Sequence, residues 1–241
     1  MLISEIKHDP PKISPVKEIM SIFIEGINPN IANRNGFIYA LIGSPGSGKS
    51  SLLLSLFRNK NYYKNKFNHI YLITPESSFL SVKDHPFKDH SKVYHDLTSQ
   101  VLENIYTELV VIKKECIDNN YEIEHSCIIV DDFGSELKDN ELIRALKQLL
   151  IKSRHIGCSF IFTLQAYNLF PLVLRKLLTN ISLFKPKNKI ELESVRRELI
   201  NFSETDTIEL INSVFDKEYN HLDIDTNNNS LRKNFNLLSI K

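Results

Sequence analysis

The chain has 241 residues, 42% of them hydrophobic, with 30 basic against 29 acidic side chains and a formal net charge of +1. That length holds one α/β domain with a sizeable core plus small extensions, and excludes an array of large domains. The balanced charge excludes a global field that would gather a polyanion, so any nucleic-acid contact has to come from local patches.

The chain opens Met1-Leu2-Ile3-Ser4-Glu5-Ile6-Lys7, without the basic and then apolar regions of a secretory signal. Residues 1–35 are rich in proline and asparagine and are expected to form an N-terminal extension packed on the core or on a neighbour. A domain is expected over 36–220. It begins with the β-prone run Phe37-Ile38-Tyr39-Ala40-Leu41-Ile42, followed by Gly43-Ser44-Pro45-Gly46-Ser47-Gly48-Lys49-Ser50 and a helix-like Ser51-Leu52-Leu53-Leu54-Ser55-Leu56-Phe57. Strand, glycine-rich loop and helix in that order are the context of a phosphate loop. The glycines let consecutive N–H groups curl inward around phosphate, and the helix adds the positive end of its dipole. Pro45 has no N–H and belongs before the donors. Lys49 is placed to reach β- and γ-phosphate oxygens, Ser50 to ligate Mg²⁺, and Ser51 to touch an α-phosphate.

A second strand is predicted at His69–Thr74, stopped by Pro75, and 76–95 reads as loop and irregular structure. Leu97, Val101, Ile105, Leu109, Ile112 and Cys116 recur every three or four residues, which predicts a long helix over 97–118 with Asp96 as its N-cap. The apolar run Cys127–Val130 predicts a strand ending in Asp131-Asp132, and Leu142, Ile143, Leu146, Leu149 and Leu150 a helix closing near Gly157. Strands follow at Ser159–Leu164 and Ile181–Phe184, then helical patterns over 190–200 and 204–215. Residues 221–241 read as a polar C-terminal tail, with 223–230 its most mobile part. The run from Ser159 to Phe184 is broken by Gln165, Asn168, Pro171, Arg175, Lys176 and Asn180, so no membrane span is expected. Cys116, Cys127 and Cys158 lack metal-ligand spacing and sit in apolar contexts, which predicts buried thiols in a reducing compartment and a soluble intracellular protein. Apolar strands alternating with helices imply a mostly parallel sheet covered on both faces.

A metal-dependent triphosphatase needs a carboxylate for Mg²⁺ and a base for the attacking water. Asp131 and Asp132 at a strand end fit those roles in that order, although paired acids there are ordinary when seen alone. The strand at 69–74 comes between the loop and these acids, an arrangement resembling the additional-strand branch of phosphate-loop ATPases rather than nucleotide kinases. Asn188-Lys189-Ile190-Glu191 ends in the wrong acid for a guanine signature, which disfavours GTPases. Gln165 ends the fourth strand, on the sheet edge where ligands bind, and is a candidate sensor of γ-phosphate or water. Arg154 is expected to lie too far along the fold for its own phosphates. It is therefore the candidate arginine finger for an adjacent subunit, with Arg175 its rival.

Gly43–Ser50, Ile128-Ile129-Val130-Asp131-Asp132, Arg154-His155, Gln165 and Pro171-Leu172-Val173-Leu174-Arg175 together resemble the FtsK-HerA superfamily. The likeness is strongest to the poxvirus-type genome-packaging ATPases of large DNA viruses and virophages. It spans about residues 35–190 and implies a RecA-like P-loop NTPase fold with an additional strand between the phosphate-loop strand and the acidic strand. It also implies a homo-oligomeric ring, hexameric by preference, that hydrolyses ATP with Mg²⁺ and threads double-stranded DNA into a preformed capsid. A capsid or portal component would be its partner, in the host-cell cytoplasm or a viral factory, or on the virion. DNA-facing candidates are 133–140 and 166–174, and Lys185, Lys187 and Lys189 form a basic run that suits phosphates or plain solvent. Two other readings stay open: a nucleotide-switched assembly protein with little turnover, and a replicative helicase.

Overall fold

The computed structural model describes residues 36–239 except 84, 89, 90 and 135, and before them residues 24, 27, 28 and 30–32. Most of the expected extension over 1–35 lies outside the described residues. From it, Ile24, Ile27, Ile31 and Ala32 are buried against the core.

Among the described residues nine strands form one sheet. In chain order they are β1 (Ile38–Ile42), β2 (His69–Ile73), β3 (Ser91–Tyr94), β4 (Ser126–Asp131), β5 (Cys158–Leu164), β6 (Asn180–Phe184), β7 (His221–Asp225), β8 (Ser230–Lys233) and β9 (Asn236–Leu237). They lie in the order β3-β2-β4-β5-β1-β6-β7-β8-β9. Pairing is parallel from β3 to β6 and antiparallel from β6 to β9. The strand expected at 69–74 is β2, and it comes between the phosphate-loop strand and the acidic strand in the chain only: in space it borders β4 from outside, and the strand inserted between β1 and β4 is β5.

Every residue of β1, β5 and β6 is buried, because helices cover both faces of the parallel part. The period of two divides the core. Ile38, Ala40 and Ile42 join Ile128, Val130, Phe160 and Phe162 under the helices α3 (Ser99–Asp118) and α4 (Asn140–Lys152). Phe37, Tyr39 and Leu41 face the other way, with Ile129 and Ile161, toward α1 (Lys49–Arg58) and the rings of Phe57, Tyr63, Phe67 and Phe87. Leu142, Leu146, Leu149 and Leu150 form the buried stripe of α4, and a short 3₁₀ turn over Ser153–Ile156 ends at Gly157, whose φ is 65°.

Three further expectations need correction. The loop expected over 76–95 contains the helix α2 (Glu76–Leu80) and the parallel edge strand β3. The N-cap of α3 is Thr98, whose hydroxyl accepts from the Val101 N–H at 3.2 Å, and not Asp96. The tail expected over 221–241 supplies β7, β8 and β9, so the sheet continues past residue 220. Between β5 and β7 run α5 (Leu172–Arg175), α6 (Lys189–Val195), a π-helical turn over Arg196–Ile200 and α7 (Glu204–Val214).

Candidate nucleotide site

β1, β4 and β5 are parallel neighbours, so their C-terminal ends reach one edge of the sheet together. There the chain places the glycine-rich loop after β1, Asp131 and Asp132 at the end of β4, and Gln165 after β5. The Gly43 N–H donates to the Leu164 carbonyl at 3.0 Å, which fixes the loop to the strand bearing Gln165. Gly46 and Gly48 hold φ of 78° and 107°, which bulky residues resist. A methyl group on Gly43 would meet Ser47 Oγ at 2.6 Å and Phe184 Cβ at 2.7 Å, so the loop closes over its floor with no space for a side chain. α1 starts at Lys49 with no side chain capping its first turn, which leaves backbone donors for an anion. Ser47 Oγ is buried without a hydrogen-bond partner among the described residues. An orphan hydroxyl, a side-chain-free cradle and an uncapped helix start together fit a bound phosphate.

Lys49 Nζ donates to the carbonyls of Gly43 and Ser44, which holds the ammonium against the loop. Burial lowers its pKa, and the charges of Asp132 and Asp131 oppose that. Burial raises the Asp131 pKa, the hydrogen bond from Thr163 pulls it down, and the neighbouring Asp132 pushes it up. A cation beside that carboxylate would relieve its desolvation, and Ser50 lines the same cavity of about 250 Å³, so the two residues assigned to Mg²⁺ face one space. Asp132 adopts φ of 64° and accepts from Gln165 Nε2 at 3.0 Å. The structure therefore brings Lys49, Ser50, Asp131, Asp132 and Gln165 around one cavity, with Pro45 and Gly46 on its rim.

Thr163 joins the two acids. Its hydroxyl donates to Asp131 Oδ1 and accepts from the Asp132 N–H at 3.0 Å, and Thr74 adds a longer bond to Asp131 Oδ2 at 3.4 Å. Sequence reasoning missed both threonines, since each sits inside or beside an apolar strand run. It also missed His85, which lies in the segment read as loop. His85 lines the acidic cavity with its ring against Phe79 and Phe87, centroids 4.7 and 5.3 Å away, and burial lowers its pKa. Thr163→Val should lower kcat/KM for ATP by about 10- to 100-fold, the equivalent of losing a hydrogen bond to a charged group, in a steady-state assay on folded protein. An unchanged value would show that the clamp is dispensable.

Arg154 does not join this cavity. It stands exposed in the 3₁₀ turn before β5, whereas Gln165 follows the other end of that strand, about 20 Å away along seven residues. Arg175 is occupied within its own chain. Its NH1 lies 3.2 Å from Glu198 Oε1 and from Asn168 Oδ1, and its guanidinium sits over the Tyr167 ring at 4.8 Å. With a side chain only 13% exposed, Arg175 is poorly free to serve a neighbour. Ser51 is exposed on the first turn of α1. Among the described residues no helix is long and apolar enough to cross a membrane.

The fold resembles solved ATPases, among them viral packaging ATPases. B204, the DNA-packaging ATPase from Sulfolobus Turreted Icosahedral Virus, is 19% identical with a TM-score of 0.58, over 86% of this chain and all of that one. The genome packaging NTPase B204 from Sulfolobus turreted icosahedral virus 2, solved with ATP-gammaS, gives 19% identity and a TM-score of 0.58, over 87% of this chain and all of that one. EssC ATPases 2 and 3 from Geobacillus thermodenitrificans give 16% and 0.58, over 84% of this chain and 40% of that one. No curated protein sequence matches the chain. The fold is that of a phosphate-loop ATPase of the FtsK-HerA superfamily. A family model, the poxvirus A32 protein, matches residues 28–233, and the chain belongs to that family.

Proposed function

We propose that the chain is a motor that spends ATP to drive double-stranded DNA into a preformed viral capsid, working as a closed homo-oligomeric ring in the host-cell cytoplasm or a viral factory. The observation that carries the reading is the pair Asp131 and Asp132, tied together by Thr163 and bonded to Gln165, opposite the phosphate loop. A protein that only bound nucleotide would need the loop. It would not need a second carboxylate held by a polar relay. Membership in the A32 family, and the likeness to a viral DNA-packaging ATPase, favour packaging over other uses of the fold.

In this reading Lys49 and the amides of Gly43–Ser50 hold the β- and γ-phosphates, and Ser51 contacts the α-phosphate. Ser50 and Asp131 hold Mg²⁺, which when bound neutralises charge on the transferring phosphoryl group. Asp132 orients and deprotonates the attacking water. Gln165 reads the γ-phosphate and transmits its loss to the segment 166–174, where Leu169, Leu172 and Val173 are exposed. Arg154 reaches the site of the next subunit. A hexamer is the expected closure, and a capsid or portal component the expected dock.

ATP hydrolysis measured without DNA, with single-stranded DNA and with double-stranded DNA tests this. Double-stranded DNA should stimulate most. Greatest stimulation by single strands, with strand separation, would favour a replicative helicase instead. Slow turnover indifferent to DNA, with nucleotide-dependent capture of a capsid protein, would favour a switched assembly factor.

A further inference from the structure

A second cavity, of about 580 Å³, lies on the other flank of the phosphate loop. Its walls are Ser44–Ser47, Phe184–Lys187 and Phe215–Asn220, and its volume is that of a small-molecule site. Pro45 and Gly46 line both this cavity and the acidic one, so the loop is a ridge between them. A triphosphate whose terminal phosphate faces Asp131 and Asp132, with its middle phosphate in the loop, finds room for its nucleoside across that ridge.

We propose that this cavity receives the nucleobase, that Tyr219 stacks on it, and that the site accepts adenine and guanine alike. The proposal rests on the reading of Gly43–Ser50 as the triphosphate cradle. Tyr219 is 62% exposed, yet its ring edge lies against the loop: a methyl group on Gly48 would meet its Cδ1 at 3.2 Å. Its backbone is left-handed, with φ of 63°, a conformation costly for a bulky residue and sustained only where the surroundings impose it. They do so here. Asn220 donates to Asp216 at 2.7 Å and accepts from Asn234 at 2.7 Å, and Lys233 donates to Asp216 at 2.6 Å, which ties the turn to β8 and the residues after it. The turn thus presents a large ring at the mouth of a cavity that continues the phosphate loop.

The same bonds argue for tolerance. A site rejects the wrong base when fixed donors and acceptors, otherwise unpaired, meet the edge of the right one. In this cavity Asp216 and Asn220 already have partners, and the buried Ser47 hydroxyl, which has none among the described residues, belongs to the phosphate cradle. The other charged side chains, Lys185, Lys187, Lys217 and Glu218, are exposed. What remains for recognition is the face of the base, which every base has.

The test is equilibrium binding, without DNA, of the non-hydrolysable analogues AMPPNP and GMPPNP and of inorganic tripolyphosphate, to wild-type chain, Tyr219→Asn and Tyr219→Phe. Asn is chosen because it tolerates the left-handed backbone. Wild type should bind both analogues within about threefold of each other, and Tyr219→Asn should weaken both about tenfold, as loss of one stack predicts. Tripolyphosphate should bind all three proteins equally, and Tyr219→Phe should match wild type. A wild-type preference for one purine of about thirtyfold or more would overturn the tolerance, since that exceeds what an unread edge allows. Equal weakening of tripolyphosphate by Tyr219→Asn would overturn the stacking role and make Tyr219 a support of the loop. A wild-type chain binding neither tripolyphosphate nor nucleotide would sink the cradle itself. Absence of DNA stimulation would bear on the packaging reading alone.

Discussion

Replacing Asp132 by Asn should lower kcat for ATP by about 10²- to 10⁴-fold while leaving the nucleotide dissociation constant within a factor of a few. The substitution is nearly isosteric, and the backbone supports it. Asp132 sits at φ of 64°, a region asparagine enters readily. Its N–H is held by Thr163 Oγ1 whichever side chain it carries, and the Gln165 amide would find an oxygen acceptor on Asn as it does on Asp. What changes is basicity. Lys49→Ala provides the contrast, since it removes a phosphate-binding charge and should weaken binding as well as turnover. Single-turnover hydrolysis and nucleotide titration on both variants separate the outcomes. Full turnover in the Asp132 variant would remove that residue from the chemistry and pass the role of base to another group in the cavity, with His85 the first to examine.

The second large effect is expected at a residue nowhere near its own cavity. Arg154→Ala should cost about 10³-fold or more in kcat if the guanidinium stabilises the transferring phosphoryl group of the adjacent subunit. Mixing decides whether it acts across subunits. In rings assembled from equal parts of Arg154→Ala and Lys49→Ala chains, an interface is complete when the first supplies the loop and the second the finger. About one quarter of interfaces meet that condition if assembly is random and head to tail. Recovery to that fraction of wild-type activity is the expected result, and no recovery at any ratio would count against a finger in trans. Arg175→Ala serves as the control. Its guanidinium joins Tyr167, Asn168 and Glu198 in one chain, so its loss should appear first as a lower Tm.

The parallel half of the sheet was legible because burial on both faces leaves continuous apolar runs, and the loop was legible because few residue types can wrap a phosphate. The antiparallel ribbon was not. All five residues of β7, His221-Leu222-Asp223-Ile224-Asp225, are buried, and three of them are titratable. Asp223 is tolerated there because it accepts from Ser182 Oγ and the Phe235 N–H and contacts His221 Nδ1 at 2.7 Å. Asp225 is tolerated because it accepts from the Asn227 and Asn228 amides, closing the asparagine-rich turn. Hydropathy sees Leu222 and Ile224 each flanked by polar letters and averages them away, and the partners that neutralise those polar residues come largely from elsewhere in the chain. β3 escaped notice for a simpler reason, being four residues beside a proline-bounded loop. In the site, Asp131, Asp132 and Gln165 were recoverable from strand ends, whereas Thr163 and Thr74 become visible only when β5 and β2 are set on either side of β4.

Phe184 belongs to two structures at once. It forms the floor beneath Gly43 and Gly48, and its ring lies 5.4 Å from that of His221, which in turn meets Phe235 at 5.0 Å. A fragment ending at residue 220 would strip the outer side of that ring and leave the Ser182 hydroxyl without its carboxylate acceptor. A piece of this chain that keeps these contacts beneath its cradle therefore runs through Phe235. Trimming, splitting or grafting the protein has to respect a boundary fifteen residues beyond residue 220, where the letters look most like a disposable end.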